Sequence, residues 1–503
     1  MFCSVQSGSV RGIESYPVNV ETDISNGMPC FDVVGYVGSE VREAKERVRT
    51  ALKNAGYSLP VARITVNLSP ADVRKSGTGF DLPIALSLLL GMQVIGDGAL
   101  DDAFIAGELS LSGNVCAAKG MLPMILAAKE RGIKKCIIPA ANSAEGSVVE
   151  GIEVYGVSSL AEAVDFLNGN EPLSPMKSRL RHDLLADHEY DCDFSEIRGQ
   201  ALAKRGAEIA ASGLHNILMM GPPGSGKTLI AKCIPSILPP LSEEECLEVS
   251  AVYSVRGALS SEEPLITRRP FVSAHSSSTD ISLVGGGSIP RPGAVSLAHK
   301  GVLFLDELPE FSRRVLEALR QPLEDRVVHI TRSRDICTFP ADIMLVGAMN
   351  PCPCGNYPDS RCTCDKSSRT RYVSKISGPF LDRMDICITA EKVSPFDMIK
   401  TGCAESSKQI KERVLAAHAV QKERFRNLPI SFNSQMGNRE IEKFCALGEN
   451  ELEIMKSLAV KHSMSARTYC RVLKVARTIA DLAGSENIDE NAILEAARLK
   501  VSF

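Results

Sequence analysis

The feature that most constrains this chain is a short glycine-rich segment that lies between an apolar run and a helical pattern. The apolar run covers residues 216–220, and the helical pattern covers 229–233. Between them stand Gly221, Pro222, Pro223, Gly224, Ser225, Gly226, Lys227 and Thr228. Glycines in such a loop let backbone N–H groups wrap phosphate groups at the start of a helix. The segment therefore predicts a P-loop between a buried strand and a helix.

Two residues of this loop and a later acidic pair carry the expected chemistry. Lys227 would reach the β- and γ-phosphates of a bound nucleotide, and the Thr228 hydroxyl would bind Mg²⁺. The apolar strand 302–305 ends in Asp306 and Glu307. Asp306 would hold Mg²⁺, and Glu307 would orient and deprotonate the attacking water. The acidic pair therefore favours hydrolysis of ATP over storage of a nucleotide.

A third strand and a later turn add two further candidates. The apolar strand 343–349 delivers Asn350 at the end where ligands of parallel sheets gather. Asn350 would position the water or sense the γ-phosphate, and the alternative is an asparagine that caps the turn before Pro351. Further along, Arg383 stands between two acids. An arginine in that setting is most often part of a surface ion pair.

Length, charge and hydropathy bound the remaining possibilities. At 503 residues the chain exceeds one ordinary hydrophobic core, so about two to four domains are expected. A net charge of −4 excludes a globally basic surface, although a local basic stripe could still bind phosphates. The first residues show no basic start followed by an apolar run, so we expect no leader, and the most apolar stretch, 82–95, is shorter than the ~20 residues of a membrane span. We therefore expect a cytoplasmic protein without membrane contact, and a buried helix at 82–95.

The pattern of predicted elements divides the chain into four ranges. Residues 1–168 mix strand-like and helical runs, which indicates an α/β or α+β domain. Residues 169–190 bring prolines and alternating charges, which are typical of a linker. Residues 191–392 alternate strands with helices, as in an α/β fold with a parallel sheet. Residues 393–503 are almost wholly helical in period, as in an α-helical lid.

Several ordered segments give the chain a resemblance to a known family. They are 197–200 with 203–205 ahead of the P-loop, 291–293 through 308–311, 350–355 and 377–383. Through these segments the sequence resembles the AAA+ superfamily and, within it, the magnesium-chelatase-like group of the YifB/ComM family. The resemblance implies a P-loop AAA+ parallel-sheet core with an α-helical lid, preceded by an α+β Lon-protease-like (S5-like) domain. It also implies ATP and Mg²⁺ as cofactors.

The resemblance implies roles for two arginines. Arg383 matches the arginine finger, which reaches into the ATP site of a neighbouring subunit and is worth about 10³–10⁵ in rate. That role requires a homo-oligomeric ring, usually a hexamer. Residues 465–467 resemble the start of the sensor-2 helix, with Arg467 expected at the γ-phosphate and Arg471 as the alternative. Arginines that merely cover a helix surface are the other interpretation.

The segment 327–339 resembles the hairpin that precedes sensor 1 in this branch of AAA+ proteins and points into the pore of the ring. Arg332 and Arg334 alternate with polar residues near its predicted tip. Such a pair suits phosphate contacts to single-stranded or branched DNA that passes through the pore. The alternative is two exposed arginines that only keep the hairpin soluble.

The first domain resembles the Lon protease domain, which uses a serine nucleophile activated by a lysine. Residues 113–133 follow the second catalytic segment of that family, with Leu122 at the position of the lysine. Gly79 falls where the serine stands, and a shifted alignment would offer Ser76 or Thr78. Without a basic partner neither hydroxyl would be activated. We expect a non-proteolytic scaffold or a module that binds a protein client.

One group of cysteines stands apart from the others, which are scattered singly among apolar residues as buried cytosolic thiols are. The group pairs Cys352 with Cys354 and Cys362 with Cys364. Four thiolates on a tight loop suit tetrahedral Zn²⁺, although C-x-C pairs are less common ligands than C-x₂-C pairs. Four reduced thiols are the alternative, and an iron–sulfur cluster is less favoured.

These features support one leading function and two alternatives. The leading hypothesis is a hexameric ATPase that translocates on DNA, with the branch migration in recombination of incoming DNA that the resemblance implies. A metal-insertion chaperone like the magnesium-chelatase ATPase subunit is the second, and the Lon-like first domain argues against it. An ATP-dependent protease is the third, and Leu122 and Gly79 disfavour it.

Overall fold

The fold is given by a computed structural model that describes residues 1–178, 190–287, 289–332, 335–391 and 405–500. The chain divides into two compact units. The first consists of Met1–Asp187, Ser242–Thr267 and Thr331–Phe339, and the second of His188–Leu241, Arg268–Ile330 and Pro340–Phe503. Two stretches from the middle of the sequence thus belong to the first unit, whereas each predicted domain is one continuous range. The predicted linker and the start of the predicted lid lie partly outside the described residues.

A mixed sheet of seven strands forms the base of the first unit. Its strands, with the small pair β6 and β7, are β1 (Phe2–Arg11), β2 (Glu14–Ser25), β3 (Cys30–Val34), β4 (Arg63–Ser69), β5 (Ala103–Ile105), β6 (Glu108–Leu109), β7 (Val115–Cys116), β8 (Lys135–Pro139) and β9 (Glu153–Val157). The strand order is β3-β4-β2-β1-β5-β8-β9. β2 is antiparallel to both β1 and β4, whereas β5, β8 and β9 continue the sheet in parallel. This mixture fits the predicted α+β character of the first domain.

Helices cover this sheet and include the predicted apolar one. The described helices of the first unit are Ser39–Asn54, Asp81–Gly91, Met121–Glu130, Ser143–Gly146, Leu160–Leu167 and Glu243–Arg256, with a 3₁₀ turn at Ala140–Asn142. The apolar stretch forms Asp81–Gly91, in which every residue except Leu90 is buried. Asp81 is buried there beside Arg47, whose Nε donates to its carboxylate at 2.8 Å, so the buried charge is paired. None of the described helices is long and apolar enough to cross a membrane.

The helix Glu243–Arg256 joins the first unit through a buried carboxylate. Glu145 is 7% exposed, and its Oε1 accepts hydrogen bonds from the Leu122 N–H, at 2.9 Å, and from the Ser254 hydroxyl. Asn142 donates to its Oε2 at 2.8 Å. Burial raises the pKa of Glu145, and these hydrogen bonds oppose the rise. Leu122 is itself fully buried, so the position where the Lon-like pattern has a lysine is part of the core.

The other protease-like segment also serves structural contacts. The Thr78 hydroxyl donates a hydrogen bond to Glu108, and the Gly79 carbonyl accepts one from the Gly107 N–H at 2.9 Å. Lys75 is fully buried, and its Nζ has no hydrogen-bond partner in the described part of the chain. Burial lowers the pKa of this lysine. The Thr78 hydroxyl thus meets a carboxylate and not a basic group.

A parallel sheet of five strands forms the second unit. Strands β10 to β18 of the chain are β10 (Ile217–Met220), β11 (Phe271–Ala274), β12 (Gly285–Gly286), β13 (Arg291–Pro292), β14 (Val302–Leu305), β15 (Val327–Arg332), β16 (Asp335–Pro340), β17 (Met344–Met349) and β18 (Ile386–Thr389). The sheet order is β11-β14-β17-β10-β18, and each neighbouring pair is parallel. Parallel strands need crossover connections, which here contain helices. The predicted α/β core is therefore confirmed.

Helices surround this sheet and continue to the end of the described chain. Those before residue 392 are Ala201–Gly213, Lys227–Ile237, Asp280–Val284, Ala294–Leu297, Arg313–Ala318, Arg320–Asp325, Lys366–Val373 and Gly378–Leu381, with 3₁₀ turns at Phe194–Glu196 and Leu308–Glu310. Those after it are Ser407–Arg424, Asn438–Phe444, Glu449–Lys461, Ala466–Leu482 and Glu490–Lys500, with a 3₁₀ turn at Asn433–Gln435. Val414 and Val475 of the later helices are buried in the same cluster as Ile217 and Val346 of the sheet. The C-terminal helices and the sheet therefore share one hydrophobic core.

The predicted hairpin before sensor 1 is a two-stranded sheet of β15 and β16. Arg332 is the last residue of β15, whereas Arg334 lies outside the described residues. In the first unit the backbone of Thr338, in β16, lies against Gly12 in the turn between β1 and β2. A Cβ on Gly12 would stand 2.6 Å from the Thr338 carbonyl oxygen, and Gly12 has a φ of +68°. The turn between β1 and β2 therefore requires glycine. The predicted contact of Arg332 and Arg334 with DNA stays a prediction.

Ser254→Ala should destabilise the first unit, because it removes a hydrogen-bond donor from the buried carboxylate of Glu145. We expect a loss of about 1–3 kcal/mol in the free energy of unfolding, measured by urea titration with circular dichroism. Glu145→Gln is the matched comparison: it removes the charge and keeps the shape, so it should cost less than Glu145→Ala. If the urea concentration at which the first unit is half unfolded were the same in Ser254→Ala and wild type, this role of the hydrogen bond would be contradicted.

Candidate functional site

The predicted motifs follow three neighbouring strands of the parallel sheet. β17 lies between β10 and β14, and the three run in the same direction. Parallel strands present their carboxyl ends at one edge of the sheet. The P-loop follows β10, the acidic pair 306–307 follows β14, and Asn350 follows β17. The strand order therefore brings the predicted residues together at one edge.

The P-loop has the backbone that a phosphate site requires. Gly224 and Gly226 have φ values of +76° and +83°, in the left-handed region that favours glycine. The helix Lys227–Ile237 begins directly after them. At Gly221 a Cβ would overlap the carbonyl oxygen of Ala390, which follows β18. The glycines thus allow a tight loop that leads into a helix N-terminus, where the first N–H groups have no partner within the helix.

Lys227 lies inside this loop. Its Nζ donates hydrogen bonds to the carbonyl oxygens of Gly221, at 2.7 Å, and Pro222, at 2.9 Å, and stands 3.4 Å from Asn350 Oδ1. Burial lowers the pKa of Lys227, and the charge of Asp306 opposes that shift. The ammonium group therefore stands between the loop backbone and Asn350, and its predicted contact with the phosphates stays a prediction.

The acidic pair is joined to the P-loop through Thr228. The Thr228 hydroxyl donates to Asp306 Oδ2 at 3.0 Å, and the other carboxylate oxygen accepts the Glu307 N–H at 2.9 Å. Mg²⁺ prefers oxygen ligands, and a hydroxyl and a carboxylate supply them, so Thr228 and Asp306 fit the predicted metal. Glu307 is exposed and has a φ of +51°, a conformation that is uncommon for residues other than glycine and concentrates at functional sites.

Gln200 supports the site, although sequence analysis gave it no role. Its Nε2 donates to the carbonyl oxygen of Ser225, at 2.9 Å, and to that of Glu391, at 2.5 Å. Its Oε1 accepts the Glu391 N–H at 3.3 Å. The side chain therefore ties the P-loop to the chain that leaves β18. The only sequence signal was its place in the segment 197–200, which carried the family resemblance.

Arg383 is not the surface residue that its acidic neighbours suggest. It is 4% exposed, and its guanidinium forms an ion pair with Glu324. It also donates to the carbonyl oxygens of Pro379, at 2.6 Å, and Arg320, at 3.3 Å. The side chain is therefore held in one place by contacts of the second unit. Its role as an arginine finger stays a prediction.

The two sensor-2 candidates lie in one cleft of the second unit. Arg467 and Arg471 line that cleft together with Glu324, the partner of the Arg383 guanidinium. Arg471 also pairs with Asp385 at 2.6 Å. Burial would raise the pKa of Asp385, but Arg471 and a histidine outweigh it and hold this pKa below its ordinary value. Arg467 thus shares a cleft with Glu324, the ion-pair partner of Arg383, and none of the described residues that line this cleft belongs to the P-loop.

The four cysteines come together as predicted. The Sγ atoms of Cys352 and Cys354 are 3.4 Å apart, and each lies 3.7 Å from that of Cys362. With Cys364, the four sulfur atoms all lie within 4.8 Å of one another. Zn–S bonds of ~2.3 Å in a tetrahedron place sulfur atoms roughly 3.8 Å apart, so the donor set fits Zn²⁺. Backbone N–H groups of neighbouring loop residues lower the pKa of Cys354 to about 5.

The cysteine loop also contacts the P-loop, which the sequence did not indicate. Gly355 has a φ of +76°, and a Cβ there would stand 2.7 Å from Pro223 Cδ and 3.9 Å from Asn350 Cγ. Contacts this close show that the loop backbone packs directly on the P-loop and on Asn350. The cysteine cluster is therefore part of the wall of the predicted nucleotide site.

Comparison with known proteins identifies the family. Magnesium chelatase, subunit ChlI, matches residues 193–398, the subunit ChlI of Mg-chelatase matches 20–142, and the ChlI C-terminal family matches 404–500. The competence protein ComM of Haemophilus influenzae is 40% identical over 496 residues, which cover 98% of this chain and 96% of that protein. The chain belongs to the YifB/ComM family. It is a magnesium-chelatase-like AAA+ ATPase, and the family implies the use of ATP and Mg²⁺.

Two further relatives bear on the family and on the Lon-like segment. The uncharacterized protein YifB of Salmonella typhimurium is 38% identical over 493 residues, which cover 98% of this chain and 96% of that protein. Lon protease 2 of Bacillus subtilis is 30% identical over 136 residues, which cover 27% of this chain and 24% of the protease. The predicted family and the Lon-like character of part of the chain are therefore confirmed.

Gly355→Ala should weaken nucleotide binding, because a methyl group would press on Pro223 and the residue would be strained at its positive φ. We expect an affinity for ATP lower by about ten-fold, which corresponds to ~1.4 kcal/mol. Fluorescence titration with a labelled ATP analogue measures this. Gly132→Ala is a matched control, since Gly132 has a φ of +81° but no atom within 4 Å of the added methyl. Equal affinity in Gly355→Ala and wild type would show that this contact does not shape the site.

Proposed function

We propose that the chain is a subunit of a ring-forming motor that hydrolyses ATP and acts on DNA. The observation that carries the ATPase part is the convergence of Lys227, Thr228, Asp306 and Asn350 at one edge of a parallel sheet. A structural ring without hydrolysis would not require this set together with an exposed Glu307. The DNA part rests on the family and on the hairpin arginines.

The geometry supports a separate task for each residue of the site. Lys227 would bind the β- and γ-phosphates in place of the loop carbonyls that it now contacts. Thr228 and Asp306 would hold Mg²⁺, which when bound offsets the charge of the phosphates. Glu307 would take a proton from the attacking water, and Asn350, 3.4 Å from the Lys227 ammonium, would orient that water or the γ-phosphate.

The proposed ring rests on Arg383, whose contacts lie outside the P-loop and the acidic pair. The guanidinium is bound to Glu324 and to backbone carbonyls of the second unit. Reaching a phosphate in a neighbouring subunit would make it an arginine finger. Arg467, which lines the cleft beside Glu324, would then face the same neighbouring site. We propose a homo-oligomer and, by analogy with the family, a hexamer.

DNA is the proposed substrate along which the motor moves. The relative from Haemophilus influenzae carries the name competence protein ComM, and this name supports the proposal. Arg332 and Arg334 would contact phosphates of single-stranded or branched DNA from the hairpin of β15 and β16. Branch migration during recombination of incoming DNA is the activity that we propose.

A remodelling or metal-insertion chaperone is the second candidate. It is favoured by the magnesium-chelatase families, which match residues 20–142, 193–398 and 404–500. In that case the first unit would bind a protein client. Proteolysis is disfavoured, because Leu122 is buried in the core and the Thr78 hydroxyl is bound to a carboxylate.

We further propose that the four cysteines hold Zn²⁺. The sulfur atoms converge without a disulfide among them, and they lie on a loop that contacts the P-loop at Gly355. A metal ion there would fix the loop by linking its two ends. Cys352, Cys354, Cys362 and Cys364 would be the ligands, so the proposed site is structural and closed.

Steady-state ATP turnover of the full chain, with single-stranded, duplex or four-way-junction DNA at moderate salt, tests the motor. Glu307→Gln should lower turnover by at least about 100-fold and keep ATP binding, because it removes only the base. One DNA form should raise turnover several-fold, and Arg332→Ala/Arg334→Ala should abolish that rise. Lys422→Ala/Arg426→Ala, which removes the same charge from exposed lid positions, is the control. ATP turnover that does not change on addition of DNA would be consistent with the proposed ATPase and would refute DNA as its substrate.

Metal analysis of the purified chain by mass spectrometry tests the zinc site. We expect about one zinc per chain, lost in Cys354→Ser/Cys362→Ser because two of four ligands are removed. Cys30→Ser/Cys470→Ser, which changes two cysteines outside the cluster, should keep the metal. Near-zero zinc in the wild-type protein would refute the site.

A further inference from the structure

The helix that follows the cysteine loop forms one wall of a second cleft at the nucleotide edge. Asp365 caps this helix, Lys366–Val373, by accepting the Ser368 N–H at 3.0 Å. Glu307 and Asn350 line the cleft together with residues of this helix and the turn after it. Those residues include two cations, Arg371 and Lys375, and the buried Tyr372. Basic side chains therefore share a cleft with the proposed base and the proposed sensor.

Several contacts hold this helix in place. Arg369 stacks on the ring of Tyr357 in the cysteine loop, 4.3 Å from its centre, and donates to the Cys364 carbonyl oxygen at 3.4 Å. On the other side, Tyr372 is 8% exposed. Burial, followed by the nearby carboxylates Glu310 and Glu307, raises the pKa of Tyr372 to about 12. The helix is therefore fixed both to the cysteine loop and to the nucleotide edge.

The cationic side chains of this region differ in whether they already have interaction partners. Arg369 is engaged with the cysteine loop, and Lys375 pairs with Glu310 at 3.2 Å. Arg371 is exposed, and its guanidinium has no hydrogen-bond or ion-pair partner among the residues that the structure describes. It nevertheless lies on a helix that is held at both ends, in the same cleft as Glu307 and Asn350. Arg371 is therefore held near Glu307, the proposed base, and has no carboxylate partner of its own within the described ranges. Such an arginine is suited to bind an anionic ligand.

We propose that Arg371 binds the γ-phosphate of ATP within its own subunit, as a cation additional to Lys227. The proposal rests on the proposed ATPase function, and it deepens it by naming a residue that separates ATP from ADP. Asn350 is 3.4 Å from the Lys227 ammonium and also lines the cleft of Arg371. The γ-phosphate would therefore lie between two cations, with Glu307 beside it. Arginine binds phosphate oxygens through paired N–H groups, which strengthens and orients the contact.

The reach of Arg371 predicts a dependence on the third phosphate. ADP has no γ-phosphate, so its affinity should not depend on Arg371. The P-loop backbone and Lys227 serve both nucleotides, so changes there weaken both. A selective loss of ATP affinity is therefore the signature of Arg371, and a general disturbance of the site would not produce it.

The test measures binding of fluorescently labelled ATP and ADP to the full chain in a Glu307→Gln background, where hydrolysis is blocked. Adding Arg371→Ala should weaken ATP by about ten-fold or more and leave ADP within about two-fold. Arg371→Lys, which keeps the charge without the paired N–H groups, should fall between. Lys366→Ala removes the same charge from the exposed first turn of the same helix and should change neither affinity.

Each outcome decides the matter. An Arg371→Ala protein that binds ATP as its parent does would overturn the proposal and leave the ATPase intact. Equal losses for ATP and ADP would also overturn it, since they would show a disturbed site and no γ-phosphate contact. If the Glu307→Gln parent bound neither nucleotide and the wild-type chain hydrolysed no ATP, the proposed function would itself fail. The two failures are therefore distinguishable.

Discussion

The position of β17 between β10 and β14 is the constraint on which the site depends. Each of these strands ends in a different functional segment, and only their parallel order places those ends side by side. The consequence is visible at Asn350, which follows β17 and stands 3.4 Å from the ammonium of Lys227 beyond β10. It is visible again at Thr228, which reaches Asp306 beyond β14 at 3.0 Å. The Lys227–Asn350 contact needs β17 beside β10, and the Thr228–Asp306 contact closes the same edge across the end of β17.

Local patterns predicted the parts of this arrangement that are local in origin. The P-loop, the acidic pair and the buried helix at Asp81–Gly91 each follow from a few adjacent residues, whose conformations glycine or apolar character dictates. The contacts of Gln200 with Ser225, and of Gly355 with Pro223, join segments far apart in sequence, and no spacing rule indicates them. The sequence indicated candidate residues for the chemistry, whereas tertiary packing decided which residues support them.

The first unit shows the same difference between local sequence signals and tertiary contacts. A lysine-to-leucine change at position 122 predicted lost protease chemistry, but nothing local indicated that the helix Glu243–Arg256 would fill out the core beside it. The hydrogen bonds from Ser254 and from the Leu122 backbone satisfy the buried Glu145, whose charge would otherwise be costly. The helix thus closes an interior that the first domain, taken as one continuous range, would leave incomplete. Domain boundaries drawn from composition cannot detect a core completed by a distant segment.

The arginines of the second unit differ in what they must give up in order to bind a phosphate. Arg383 is almost fully buried, so its guanidinium is already removed from water, but its partner Glu324 has a side chain that is 52% exposed. An ion pair with so exposed an acid is screened and is worth at most ~1 kcal/mol. A neighbouring triphosphate carries more charge than one carboxylate and could replace it at little cost. Arg471 is different, because its partner Asp385 is buried and would lose its ion pair with the guanidinium. In the proposed finger role, Arg383 would therefore give up only a weak partner, whereas Arg471 would break a buried ion pair of the second unit.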